Sequence, residues 1–69
     1  MRVRVFRVRG MRCGGCAEAV ETALSSIDGV DRVSVSLESG RVTVVYDPGR
    51  VRLVDIVRSV ERLGFKVEL

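Results

Sequence analysis

Hydrophobic and polar residues alternate, or recur at helical spacing, along most of the chain. The first regular segment, residues 2–9, alternates as a strand with one buried face does, although the adjacent Val5 and Phe6 interrupt the period. We expect Phe6 and Val8 to face the core of the protein. Val3 and Val5 then lie on the opposite face of the strand.

Apolar residues recur every three or four positions in two later segments, which is the pattern of an amphipathic helix. The first helix is predicted from Cys16 onward and is stopped by Asp28-Gly29, and the second follows Asp47-Pro48-Gly49 and is ended by Gly64. Residues 10–15 are predicted to form a loop, since two consecutive glycines lie within them. The two apolar helix faces comprise Ala17, Val20, Ala23, Leu24 and Ile27, then Leu53, Ile56, Val57, Val60 and Leu63.

Three further segments alternate as strands: residues 33–38, 41–47 and 65–69. The first two form a hairpin across Ser39-Gly40. The order βαββαβ predicts an α+β, ferredoxin-like fold in which two helices cover one face of a four-stranded antiparallel sheet. We therefore expect a single domain over residues 1–69, with the other face of the sheet in water. The expected core comprises Phe6, Val8, Val33, Val35, Val42 and Val44 from the sheet and Val20, Leu24, Ile56 and Val60 from the helices.

Composition agrees with a folded domain, because 46% of the residues are hydrophobic, 30% are charged and only one is proline. No apolar run approaches the roughly 18 residues that cross a bilayer, and the chain does not open with the apolar core of a signal peptide. We expect a cytoplasmic protein that does not insert into membranes. In that compartment its two cysteines remain thiols.

The formal net charge is +3, and five arginines lie within the first twelve residues. A charge of this size is ordinary for a soluble domain, and we interpret most of these arginines as a solvated strand face. RNA-binding domains share the βαββαβ order, but they stack bases on aromatic residues of the sheet. Phe6 and Tyr46 have inward parity here, so we expect no nucleic-acid binding.

Cys13 and Cys16 are the candidate chemical site. Cys16 falls in the first turn of the predicted helix, where free N–H groups favour an anion, and Arg12 adds a positive charge, so both thiol pKa values should be depressed. Residues three apart at a helix start have Cβ atoms about 5–6 Å apart. Their sulfurs can then lie on opposite sides of one ion when metal–sulfur bonds are about 2.3 Å long. Two-coordinate sulfur suits Cu(I) or Hg(II), whereas Zn(II) needs further ligands.

The spacing Cys-x-x-Cys also has three other interpretations. The residues could be two inert thiols, a pair that oxidises to a disulfide, or a redox pair. A thioredoxin-like oxidoreductase also carries such a pair at a helix start. The chain is short for that fold and has no aromatic residue directly before Cys13. We therefore expect no enzymatic activity.

The segment Gly10-Met11-Arg12-Cys13-Gly14-Gly15-Cys16, set between the first strand and first helix, resembles the heavy-metal-associated domain family of copper chaperones and metal-transporting P-type ATPases. The family fingerprint, Gly-Met-x-Cys-x-x-Cys, is matched at its four defined positions. The resemblance implies that Cys13 and Cys16 bind Cu(I) and pass it by thiolate exchange to a P-type ATPase, its metal-binding domain or another copper acceptor.

The resemblance also assigns neighbours to the site. Met11 is expected to point inward and anchor the loop, and Gly14 and Gly15 separate the cysteines. Phe65 falls where the family has a residue close to the metal loop. Arg12 departs from the small or polar residue usual at its position, and it disfavours Zn(II) because zinc-binding members often carry an acidic residue there.

Two alternatives lie close to this function. One is an Hg(II) carrier of a mercury-resistance system, since Hg(II) has the same preference for two-coordinate sulfur. The other is a metal-binding domain excised from a transporter, whose sequence would look the same. We expect a monomer, although two exposed dithiols can also share one Cu(I) or Zn(II) ion and so bridge a dimer.

Overall fold

A computed structural model describes all of residues 1–69 and has the order βαββαβ. Four strands pair in the order β2-β3-β1-β4, all antiparallel, and two helices accompany them. The predicted ferredoxin-like α+β fold is therefore confirmed. The elements are β1 (Arg2–Arg9), α1 (Gly14–Ser25), β2 (Val30–Ser36), β3 (Arg41–Tyr46), α2 (Leu53–Arg62) and β4 (Lys66–Glu68).

One hydrophobic core joins the sheet to both helices. The alternation in β1 is as predicted, because Phe6 and Val8 are each only 3% exposed whereas Val3 and Val5 are 60% and 57% exposed. Side chains of β1 that point inward meet the helices, and those that point outward leave the other face of the sheet open. The buried residues are Phe6, Val8, Val20, Leu24, Val42, Val44, Tyr46, Val51, Ile56 and Val60.

Two expected core positions, and one position on an apolar helix face, differ from the prediction. Val33 and Val35 are half-buried rather than buried, because β2 is an edge strand with a neighbour on one side only. Leu63 is 41% exposed because α2 ends at Arg62, one residue before it. Val51 joins the core instead, although it lies between the turn at residues 48–50 and α2, outside any periodic segment.

Several element boundaries also shift. The helix α1 ends at Ser25, before the predicted Asp28-Gly29 stop, and the hydroxyl of Ser26 donates to the carbonyl of Ala23 at 2.9 Å. The last strand covers Lys66–Glu68 rather than residues 65–69. Helix ends and short strands carry the weakest periodic signal, which accounts for these differences.

The directions of β1 and β4 determine where the chain termini lie relative to the loop that carries the cysteines. β1 runs toward the loop that carries the cysteines, and β4 lies beside it and runs the opposite way, away from that loop. Met1 and Leu69 are 77% and 84% exposed. No helix of the structure combines the length and the apolar character that a bilayer span requires.

Candidate metal site

The loop between β1 and α1 is anchored at two points. Gly10 has a φ of +105°, and a Cβ at this position would lie 3.1 Å from Cδ1 of Phe65. Glycine therefore both adopts the left-handed conformation and lets the aromatic ring approach the loop. Met11 is half-buried and packs against the core, as expected for an inward-pointing anchor.

The glycines of the motif belong to the helix and not to the loop. The helix α1 begins at Gly14, so the predicted loop over residues 10–15 is too long by two residues. Neither Gly14 nor Gly15 has a positive φ, and both lie in the first turn, where a helix tolerates them. A Cβ on Gly14 would meet nothing within 4 Å, whereas one on Gly15 would lie 3.8 Å from the sulfur of Cys13. The absence of side chains here leaves the sulfurs uncovered.

Cys13 and Cys16 are both free thiols near the surface, Cys13 exposed and Cys16 half-buried. Their sulfur atoms lie 3.2 Å apart, close enough for one thiol to donate a hydrogen bond to the other. Linear coordination with bonds of about 2.3 Å places the sulfurs about 4.6 Å apart, so they must separate by about 1.4 Å to bind a metal this way.

The environment of Cys16 favours its thiolate form. The pKa of Cys16 is lowered, first because the backbone N–H of Arg12 donates to its sulfur and next because the thiol of Cys13 does so. Desolvation raises this pKa and opposes part of the effect, while the backbone N–H of Cys13 lowers it further. Arg12 therefore lowers the pKa of Cys16 through its backbone, and not through its guanidinium group as predicted.

The chain offers two metal donors at this place and no more. No group of three or more His, Cys, Asp or Glu residues is assembled anywhere in the structure. Arg12 is exposed and takes part in neither of the two ion pairs, which join Arg9 to Glu68 and Arg50 to Asp28. The role of the Arg12 backbone could not be predicted from the sequence. The direction of a backbone N–H group does not depend on the type of side chain.

The fold and the site together define a small α+β protein that presents an uncovered dithiol from a strand-to-helix loop. The model of the heavy-metal-associated domain matches residues 5–66 of this chain. The chain belongs to the heavy-metal-associated domain family.

Two curated relatives differ greatly in length. The copper chaperone CopZ of Staphylococcus aureus (strain Newman) is 42% identical over 67 residues, which cover 97% of this chain and 98% of the relative. The cation-transporting ATPase HMA5 of Oryza sativa subsp. japonica is 46% identical over 63 residues, which cover 91% of this chain but only 6% of the ATPase. The chain is thus similar both to a short protein and to a small part of a long one.

Solved structures show the same pair of relationships. A copper binding domain from HMA7, a P-type ATPase, superposes with a TM-score of 0.95 at 41% identity, covering 99% of this chain and 92% of that domain. The CopZ metallochaperone superposes with a TM-score of 0.94 at 40% identity, covering 97% and 100%. Oxidized MerP from Ralstonia metallidurans CH34, at 24% identity and a TM-score of 0.91, shares the fold.

Proposed function

We propose that this protein binds one Cu(I) ion through Cys13 and Cys16 and passes it to a copper acceptor by thiolate exchange. The observation that carries the proposal is the uncovered dithiol at the start of α1, in which hydrogen bonds already favour the thiolate of Cys16. Thiolates are the soft ligands that Cu(I) prefers. A metal on this pair has two protein ligands and leaves its remaining coordination positions open.

The choice of Cu(I) rests on ligand number and on the relatives. Zn(II) is bound almost always by four ligands in structural sites, and the chain assembles no third donor beside the cysteines. The relatives at 40% identity or more include a copper chaperone and a copper binding domain. Hg(II) is the second candidate ion, because it also accepts two-coordinate sulfur. The likeness to MerP lies below 25% identity and supports the fold alone.

Thiolate exchange needs an accessible sulfur ligand and an open coordination position on the metal. An incoming thiolate adds a bond to the Cu(I) ion, and a bond to Cys13 or Cys16 then breaks, with no change in oxidation state. The exposed sulfur of Cys13 makes the approach of a second thiol sterically simple. No catalytic group is needed in this exchange, which agrees with a binding protein rather than an enzyme.

The proposed acceptor is a P-type ATPase or its metal-binding domain. The relatives support two arrangements, since the chain spans 98% of a chaperone and 6% of an ATPase. We propose a monomeric chaperone in the cytoplasm, with residues 1–69 forming one domain, and a metal-binding domain of a transporter as the second arrangement. Two chains sharing one ion through both dithiols would appear as metal-dependent dimers in analytical ultracentrifugation.

Competition with a Cu(I) chelator tests the proposal directly. Titration of the reduced protein with Cu(I) in the presence of bicinchoninate should show about one tightly bound ion per chain, because one dithiol is present. Cys13→Ser and Cys16→Ser should each lose this binding. Met11→Leu is the matched control and should retain it, since Met11 packs against the core. Wild-type binding no tighter than that of the Cys→Ser variants would refute the proposal.

Parallel titrations distinguish Zn(II) from the ions that accept two-coordinate sulfur. Hg(II) should also bind the wild-type pair, whereas Zn(II) should bind weakly, since only two protein ligands are present.

Transfer is tested by mixing the Cu(I)-loaded protein with the soluble metal-binding domain of a copper ATPase. Movement of the metal without any increase in free Cu(I) is the expected result, and release into solution first would contradict direct exchange.

A further inference from the structure

The face of the sheet that the helices do not cover, here called the open sheet face, carries an apolar patch. Val3 and Val5 are 60% and 57% exposed on β1. In the strand register Val3 lies directly opposite Val45, and Val5 lies opposite Thr43. Side chains directly opposite on one face are within contact distance, so these residues form a continuous patch. Nothing within the fold covers it.

Positive charge lies at one end of this patch and beside Val45. The outward-facing positions of the paired strands carry five basic residues and a single acidic one, a net charge of +4 against +3 for the whole chain. The remaining seven basic and eight acidic residues therefore sum to −1. Asp31 lies in the β-bulge of β2, beside Arg32 and between the half-buried Val30 and Val33, so counting it with this face gives a net charge of +3 there and zero for the rest of the chain. The charged residues at the paired positions of the open sheet face are Arg7, Arg9, Arg32, Arg41, Lys66 and Glu68.

The fold leaves two of these charges in direct opposition. Arg7 and Arg41 are register partners across β1 and β3, and like charges directly opposite destabilise a sheet. The carboxylate of Glu68, which faces Arg7 from β4, is already paired with Arg9 at 3.0 Å. On its other side Arg41 faces only Ser36. No acidic residue of the chain neutralises Arg41, so an external anionic group can relieve the repulsion.

We propose that the open sheet face docks a partner protein whose contact surface is acidic beside an apolar centre. The valine patch would bury its apolar area against that centre, and the arginines beside it would pair with carboxylates. None of the residues involved belongs to the metal loop, so the proposal goes beyond Cu(I) transfer and does not depend on it.

The chemistry of the face disfavours other anionic partners. Nucleic-acid-binding sheets stack bases on exposed aromatic residues. Here Phe6 and Tyr46 are buried, and the ring of Phe65 packs at Gly10. Membrane-surface binding relies on aromatic and long apolar side chains that enter the lipid, whereas this patch consists of short valines on a sheet.

The test uses an ¹⁵N-labelled, reduced, metal-free chain and a defined probe. The probe is a helical peptide of about 20 residues in which a leucine stripe is flanked by glutamates. Chemical-shift changes should fall on β1 and β3, and isothermal titration should give a dissociation constant that weakens as salt rises. The same peptide with every glutamate replaced by glutamine should bind at least about tenfold more weakly, because the charge complementarity is lost.

Variants separate docking from folding. Arg7→Ser with Arg41→Ser should weaken peptide binding about tenfold, yet this variant should melt no lower than the wild type because the like-charge pair is gone. Val3→Thr with Val5→Thr should also weaken binding, since the apolar patch is lost while β-branching is kept. Arg58→Ser with Arg62→Ser removes the same charge from the exposed face of α2 and should leave binding within about twofold.

Three results would overturn the proposal. These are equal weakening by the α2 control variant, shift changes outside the open sheet face, or tighter binding to phosphatidylserine vesicles or single-stranded RNA than to the peptide. Each measurement is made without copper. Failure here therefore leaves the Cu(I) titrations unaffected, and failure of those titrations leaves this test unaffected.

Discussion

The two helices of this protein begin with the same backbone arrangement. At the start of α1, the carbonyl of Cys13 accepts hydrogen bonds from the N–H groups three and four residues later, at 3.0 and 3.3 Å. At the start of α2, the carbonyl of Arg52 accepts the equivalent two bonds at the same distances. Neither position has a side chain that caps the helix in the usual way.

The two starts differ in the residue at the third helical position. In α2 this residue is Asp55, and its carboxylate accepts the backbone N–H of Arg52 at 3.3 Å. In α1 it is Cys16, whose pKa is lowered by hydrogen bonding to the backbone of Arg12 and, less, of Cys13. Cys16 thus stands where a capping carboxylate would stand. The thiolate preference of the candidate site follows from ordinary helix-start geometry, with sulfur in place of oxygen.

Exchanging the acceptor at α1 should give the largest effect. Cys16→Asp replaces the thiol with the residue found at the matching position of α2, so Cu(I) binding should be abolished. The free energy of unfolding of the metal-free protein should stay at the wild-type value or rise by up to about 1 kcal/mol, since a carboxylate takes over the N–H bonds. Chelator competition and urea unfolding monitor the two properties.

Cys16→Ala is the control for this exchange. It should lose Cu(I) binding equally and unfold more easily than Cys16→Asp, because no side chain accepts the N–H groups. If Cys16→Asp were clearly less stable than Cys16→Ala, the equivalence of the two helix starts would be wrong.

Removing the acceptor at α2 should have a smaller effect, confined to stability. Asp55→Ala leaves the N–H of Arg52 without its carboxylate partner and should lower the free energy of unfolding by about 1 kcal/mol. Cu(I) affinity should not change, because Asp55 lies in a different helix from the cysteines. Urea unfolding and chelator competition measure both. Weaker Cu(I) binding in this variant would show that the two helix starts are energetically coupled.

The smallest expected effect is a shift of the titration of Cys16. Its pKa lies below the ordinary value of 9.0 in the folded protein, so the thiolate persists as the pH falls below that value. Stability contributed by this thiolate is present above the unfolded-state pKa and is lost as the pH falls through the folded-state pKa. Iodoacetamide alkylation of Cys16, followed against pH by mass spectrometry, should show the lowered midpoint.

Cys13→Ala sharpens this measurement. It removes the thiol that donates to Cys16 and keeps the backbone donor of Arg12, which is the larger cause. The midpoint should therefore rise only part of the way toward that of a free cysteine. A midpoint unchanged from the wild type would show that the 3.2 Å contact between the sulfurs does not influence the thiolate.

Much of the fold could be predicted because its signals are local. Period-two alternation identified the buried face of β1, and helical spacing identified Val20 and Leu24 in α1 and Ile56 and Val60 in α2. These residues repeat within a single element. The sequence pattern of that element alone therefore predicts their burial.

The remaining features depend on contacts between distant segments. Val51 becomes buried because its segment crosses Gly29, where a Cβ would lie 3.0 Å from Cγ1 of Val51. No periodic pattern includes Val51. Similarly, glycines at a helix start look like a loop in sequence, so the beginning of α1 at Gly14 was missed.

At the candidate site, residue types predicted which atoms are present but not their arrangement. The two cysteines and their helix-start position could be read from the spacing, and the family resemblance placed Phe65 near the loop. The 3.2 Å separation of the sulfurs and the N–H of Arg12 directed at Cys16 could not be read, because side-chain rotation and backbone direction have no sequence signal. That Cys13 and Cys16 are the metal ligands stays a prediction until the titrations are made.

The opposite directions of β1 and β4 bear on how such a unit can be tethered. A flexible connection at Met1 would leave the fold at the end of β1 opposite the dithiol, and one beyond Leu69 would leave it in the direction away from the loop, so neither would cover the sulfurs. If several copies of this domain were joined in one polypeptide, each copy would keep its cysteines accessible. The effective concentration of one copy toward the next would then depend on linker length, and the fold of each domain would stay the same.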